Sequence, residues 1–157
     1  MPRHPYKKRT VPEDPVYQSY EIAKLINYIM VDGKKSVART IVYSIIDELE
    51  KKDGDPLRII HKAIGNVAPS VEVKPRRLGG ASYLVPIEVR KERRLYLAVK
   101  WLVEAASAKP NKEFKSFKEK LLSEILAAAD NLGTAVGKRA QVEKLAEANK
   151  AFSHLKW

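Results

Sequence analysis

A chain of 157 residues is long enough to bury a sizeable core, and its 30 lysines and arginines against 19 aspartates and glutamates leave a formal charge of +11 at pH 7. That excess argues against an ordinary metabolic enzyme and points to a polyanionic partner, nucleic acid ahead of an anionic membrane surface. With no cysteine, disulfides, thiolate metal sites and a cysteine nucleophile are excluded.

Residues 1–15 read as an extended basic arm. Pro2, Pro5, Pro12 and Pro15 deny it a helix, and Arg3, Lys7, Lys8 and Arg9 precede the first acidic residue, Glu13. No signal-peptide-like apolar stretch follows this start, and no run is long enough to span a bilayer, so a soluble, cytoplasmic protein without a membrane partner is expected.

Three helices should fill residues 16–70. The first is capped by Ser19, carries Ile22, Leu25, Ile26, Ile29 and Met30 as one stripe, and ends at Asp32-Gly33. The second starts near Ser36 and turns Ala38, Ile41, Val42, Ile45, Ile46 and Leu49 inward. Asp55-Pro56 then supplies a cap with proline in the first turn. The third helix buries Leu57, Ile60, Ala63, Ile64 and Val67 and stops before Pro69.

Residues 71–90 alternate as a β-hairpin about Gly79-Gly80. A two-residue loop sets Lys74 opposite Val85 and puts the apolar residues of the arms on opposite faces. A three-residue loop, Gly79 to Ala81, pairs Val73 with Ile87 and Arg77 with Tyr83, and is the preferred register because it keeps one apolar face. Pro75 and Pro86 deny both arms a place inside a larger sheet, so the ribbon should protrude from the helical body. Arg90, Lys91, Arg93 and Arg94 crowd the first turn of the next helix, where the helix dipole disfavours cations. A local rule broken there suggests service to an anionic ligand of many charges.

Three more helices follow over residues 91–152. Leu95, Val99, Leu102 and Ala106 line the fourth, with Tyr96 and Trp101 expected in its core or rim rather than stacking on a ligand. Phe114, Phe117, Leu121, Ile125 and Ala128 line the fifth. Val142, Leu145 and Ala148 give the sixth, from about Ala135 to Phe152, only a thin stripe. Residues 153–157 form a basic-aromatic tail. The whole reads as one domain: mainly α, a six-helix bundle with a protruding basic β-hairpin between the third and fourth helices and an extended N-terminal arm.

No P-loop, dinucleotide fingerprint, HExxH or GxSxG is present, and His4, His61 and His154 have no ligand spacing. No catalytic residue, metal site, cofactor or small-molecule substrate is therefore expected. Glu72 and Glu88, facing each other across the ribbon, would order its arginines. An architectural DNA-binding protein also grips with basic β-arms, and Leu78 is a weak wedge at the tip. Six helices and a second basic arm fit a folded RNA junction better. A membrane-surface protein would need its apolar stripes for lipid, and here the bundle core needs them.

Three blocks resemble one family closely, that of the seventh protein of the bacterial small ribosomal subunit. They are Met30-Val31-Asp32-Gly33-Lys34-Lys35-Ser36, the ribbon from Val71-Glu72-Val73-Lys74 to Glu88-Val89-Arg90, and Gly133-Thr134-Ala135-Val136 with Lys138-Arg139 and Ala146 to Phe152. The sequence departs from the family's pattern at Leu84, Gly137 and Leu155, where glutamine, lysine and tyrosine are expected. The resemblance implies a primary binder of the 3′ major domain of 16S ribosomal RNA that nucleates the subunit head. It implies a ribbon tip, Arg77, Leu78, Gly79, Gly80, Ser82 and Tyr83, near exit-site transfer RNA and messenger RNA. It implies protein partners in the head and platform, the subunit's proteins nine, eleven, thirteen and nineteen. The expected ribosomal RNA footprint is Arg3, Lys7, Lys8 and Arg9 on the arm, then Lys34 and Lys35. The ribbon foot adds Lys74, Arg76, Arg77, Arg90, Arg93 and Arg94, and the last helix adds Lys138 and Arg139.

Overall fold

The computed structural model describes residues 11–155, with the backbone alone at positions 52 and 53. Arg3, Lys7, Lys8 and Arg9, and the end of the tail, lie outside the described residues. Six α-helices, α1 (Tyr20–Ile29), α2 (Lys35–Asp53), α3 (Pro56–Val67), α4 (Lys91–Ala108), α5 (Phe117–Ala129) and α6 (Thr134–Ala148), surround one apolar core. A 3-10 helix, Lys150–Leu155, follows α6.

Local chemistry sets most boundaries. The Ser19 hydroxyl accepts from the Ile22 N–H at the start of α1, and the Asp55 carboxylate accepts from the Arg58 N–H in front of Pro56. Gly54 closes α2 in the left-handed conformation. The stripes then meet: Ile22, Leu25, Ile26, Ile45, Ile46, Leu49, Leu102, Leu121 and Ile125 are fully buried. Helix α5 packs on α3 and α4, and α1 packs on α2 and α4.

Three expectations need correction. Helix α5 starts at Phe117 behind the Ser116 cap, so Phe114 lies before it, half-buried under the Lys109 ammonium rather than in the core. Helix α6 ends at Ala148, and Leu145 and Ala148 are exposed. Its buried residues are Ala135, Val136 and Ala146, because its middle is held by polar contacts of Arg139 and Glu143 instead.

The third correction is the ribbon register. Strands β1 (Val71–Leu78) and β2 (Ala81–Glu88) pair antiparallel, with Leu78 opposite Ala81 and Lys74 opposite Val85. The loop is the two-residue Gly79-Gly80, and φ is +56° and +87° at the two glycines. Two successive left-handed residues are what a type I′ turn needs, and its twist matches that of the strands. The argument from one apolar face fails because the ribbon foot is covered on both. Val85 and Pro86 point to opposite faces, and both are buried. Helix α6 lies against β1, the 3-10 helix lies against β2, and Phe152 packs on Tyr83 with ring centroids 5.2 Å apart. An arginine does sit opposite Tyr83, but it is Arg76. Glu72 faces Ile87 and Glu88 faces Val71, so the two carboxylates point away from each other.

Candidate nucleic-acid interface

The ribbon foot and the start of α4 make a basic groove. A cavity of about 680 Å³ there is lined by Glu72, Lys74, Arg76, Ile87, Glu88, Arg90 and Arg93. Glu72 orders it. Its side chain is only 14% exposed, and its carboxylate lies 3.4 Å from the Lys74 Nζ and 3.4 Å from an Arg93 guanidinium nitrogen. A largely desolvated carboxylate between two exposed cations fixes their direction without neutralising the surface, because two charges meet one. Arg93 also lies over the Tyr96 ring, 5.2 Å from its centroid. Arg90, at the N-cap of α4, makes no side-chain cap bond there, and Arg94 is exposed one turn on. At the tip Arg77, Leu78, Gly79, Gly80 and Ser82 are exposed, and Tyr83 is half-buried under Phe152.

A second basic point is the turn between α1 and α2. Asp32 and Gly33 both have positive φ, +53° and +72°, and the Lys34 N–H donates to the Val31 carbonyl at 3.0 Å. This tight reversal presents Lys34 and Lys35 exposed at the N-terminus of α2, which has no side-chain cap and no acid in its first turn. Neither lysine makes an ion pair among the described residues.

The third point is α6. Lys138 Nζ lies 2.7 Å from a Glu104 carboxylate oxygen, and its side chain is half exposed. That ammonium holds the Glu104 carboxyl below the usual carboxylate range. Arg139 faces inward more than expected: its guanidinium donates to the Asn66 carbonyl, while the Asn66 amide donates to the carbonyls of Ala128 and Ala129. Arg139 thus ties α6 to the C-terminal ends of α3 and α5. Glu143 binds the Ser70 N–H and hydroxyl at 3.0 and 2.8 Å. Burial would raise its pKa, yet the Ser70 bonds and the nearby Arg139 and Arg94 lower it on balance.

The sequence reading missed the device that aims α6. Glu124 on α5 is 1% exposed. It accepts from the Ala135 N–H at 3.0 Å and the Thr134 hydroxyl at 3.1 Å, and it pairs with the Lys109 Nζ at 2.9 Å. A buried carboxylate from the previous helix therefore caps α6, in place of any cap from Gly133. Lys120, also buried, donates to the Lys109 carbonyl and the Asn111 side chain. The signal available was GTA preceded by an acid at core spacing. Asp14, 4% exposed, was missed likewise: its carboxylate accepts from the Tyr43 hydroxyl at 2.9 Å and from the Val16 and Tyr17 N–H groups, fixing residue 14 to α2.

Among the described residues there is no group of three metal-ligating side chains, and no helix is long and apolar enough to cross a membrane. His61 pairs with Glu21 on the surface.

The family model described as ribosomal protein S7p/S5e matches residues 1–150. Proteins named small ribosomal subunit protein uS7 are similar over 100% of both chains. That of Caldicellulosiruptor bescii is 51% identical, that of Caldanaerobacter subterraneus subsp. tengcongensis 51% and that of Thermotoga neapolitana 49%.

Proposed function

The chain belongs to the ribosomal protein S7p/S5e family, and from that premise we propose that it is a primary binder of small-subunit ribosomal RNA, anchoring the 3′ major domain as the head assembles. It is a structural protein of the small ribosomal subunit, at work in the cytoplasmic ribosome, and not an enzyme. The observation that carries the RNA reading is the groove in which Glu72 presents Lys74 and Arg93, continued by Arg76 and Arg90. Arg94, exposed at the next position of α4, lies near Glu143. Phosphate oxygens are the ligand such a row of oriented donors suits, and structured RNA is read by shape and backbone more than by base edges. Lys34, Lys35 and Lys138 extend the footprint, and Arg139 contributes chiefly by holding α6. The ribbon tip belongs to the second part of the proposal. Arg77 to Tyr83 would meet exit-site transfer RNA and messenger RNA, and proteins nine, eleven, thirteen and nineteen would be neighbours in the head and platform.

Competition binding tests the reading. The protein is titrated with a transcript of the 3′ major domain, with duplex DNA and with anionic vesicles. The expected result is tight binding to the transcript that neither competitor reverses at equal phosphate concentration. Equal displacement by duplex DNA would replace it with the architectural DNA reading.

A further inference from the structure

We infer that the cleft between α1 and α4 is a nucleobase site, holding one unstacked base of the bound RNA against the rings of Tyr20 and Tyr96. This rests on the RNA reading above and adds a ligand class and position to it.

The cleft is a cavity of about 200 Å³ whose lining includes Tyr20, Lys24, Tyr28, Glu92, Leu95 and Tyr96. Pockets for whole small molecules run to about 300–1,000 Å³, so this one suits a single ring system. Tyr20 and Tyr96 are 38% and 42% exposed, among the most open large aromatic side chains described. Tyr28 meets Tyr96 edge-on at 5.7 Å, which fixes the Tyr96 ring from behind. Burial and the bond to Tyr96 raise the Tyr28 pKa, so the Tyr28 phenol is neutral at pH 7.

A cation lies over one face of each ring. Lys24 Nζ lies 5.2 Å from the Tyr20 centroid, and the Arg93 guanidinium lies 5.2 Å from that of Tyr96. Arg93 also lines the ribbon groove, so the cleft opens beside the row of cations that would hold the backbone. A cavity of this size takes one base and leaves the sugar-phosphate backbone outside, near Arg93 and Lys24. Exposed aromatics interleaved with cations are how sequence-tolerant base stacking is built.

The test compares Tyr96→Leu, Tyr20→Leu and the two Phe variants in binding the 3′ major domain transcript across a salt series. One stacked base is worth about ten-fold or more in affinity. The Leu variants should lose about that much with an unchanged salt slope, because no phosphate contact is removed. The Phe variants should bind within about two-fold of wild type, since they keep the ring. Wild-type affinity in the Leu variants overturns the site, as does a loss that Phe does not restore or one that comes with a smaller salt slope. Both rings are more than a third exposed, and should one Leu variant lose helicity the other carries the comparison. A wild-type protein that fails to bind the transcript takes both readings with it; a wild type that binds while its Leu variants match it takes only this one.

Discussion

The residue that does most for the site without facing it is Glu124. It is 1% exposed, yet it is held as a carboxylate. Burial alone would push its pKa up; the Ala135 N–H, the Lys109 ammonium and the Thr134 hydroxyl outweigh burial, and the net shift is down from 4.5. A carboxyl whose folded pKa is depressed adds stability above its unfolded value, and that stability drains away as the pH falls through the folded value. Glu124→Gln should therefore cost about 1.5–3 kcal/mol at pH 7, the range for bonds to a charged group. The gap to wild type should narrow once the pH drops below about 4.5. Denaturant melts of both proteins from pH 7 to pH 3 would show this, and a gap constant with pH would mean the charge is idle. Gly133 belongs to the same device. Its φ is +93°, and an added Cβ would lie 2.9 Å from a Glu124 carboxylate oxygen and 3.3 Å from the Ala127 Cβ. Gly133→Ala should therefore destabilise by about 1–3 kcal/mol through strain alone, and by more if Glu124 is pushed off the α6 N-terminus. The expected mechanism is a misaimed α6, read as weaker RNA binding beyond the loss of stability.

At the scale of elements, the ribbon divides into a foot that belongs to the body and a tip that does not. The foot is covered on both faces, whereas Arg77 to Ser82 is exposed throughout. In the observed register Arg76 faces Tyr83, so replacing Arg77–Ser82 by an Asn-Gly turn closes the hairpin on an existing pair. The fold should survive with its melting temperature little changed. Affinity for the RNA domain should fall by no more than about 1–2 kcal/mol, one or two charge-assisted contacts. The larger effect should be faster release of deacylated transfer RNA from the exit site of assembled subunits. Lost domain binding with an unchanged release rate would make the tip a primary anchor instead. This element also marks where the sequence stops being legible. Caps such as Ser19 and Asp55-Pro56 act within three residues and could be read directly, as could the helical stripes and the basic row along the hairpin. The register turned on whether α6 and the 3-10 helix cover a second face of the foot, which no local pattern encodes. Phe114 matched the spacing of α5, but Ser116 and its bond to the Glu119 N–H started the helix later. The pairs that build the site, Glu72 with Arg93 and Glu124 with Ala135, join residues 21 and 11 positions apart. The two rings of the cleft come from different helices. Composition announced the charge of the site but not which charges are spent internally.

At the scale of the whole molecule the question is how much of the +11 is available to a polyanion. Lys109 and Lys120 are committed to the interior, Arg139 to the C-terminal ends of α3 and α5, and Lys118 to Glu48. Glu88, which also borders the basic groove, joins Glu143 and Glu147 against Lys150 in a cleft between the ribbon foot and α6, and that acidic balance leaves the cleft outside an RNA footprint. What remains for a polyanion is the α4 start, the ribbon and the α2 turn, where Lys34, Lys35, Lys74, Arg77, Arg90, Arg93 and Arg94 are exposed. If these surfaces and the arm neutralise roughly six to ten phosphates, affinity should fall by about 10³ to 10⁵ between about 50 and 200 mM salt. A nearly flat dependence would contradict the footprint as a whole. The α2 turn isolates one part of it. Lys34 and Lys35 stand at an uncapped helix N-terminus, where each cation costs about 0.3–1 kcal/mol at low salt. Alanine at both positions removes that cost and favours the helix, so the melting temperature should hold or rise slightly. If each lysine meets one phosphate, the slope of log affinity against log salt should become shallower by about 2. A protein that melts lower and keeps its salt slope would show instead that the two lysines serve the fold, and the footprint would shrink to the ribbon, the arm and α4.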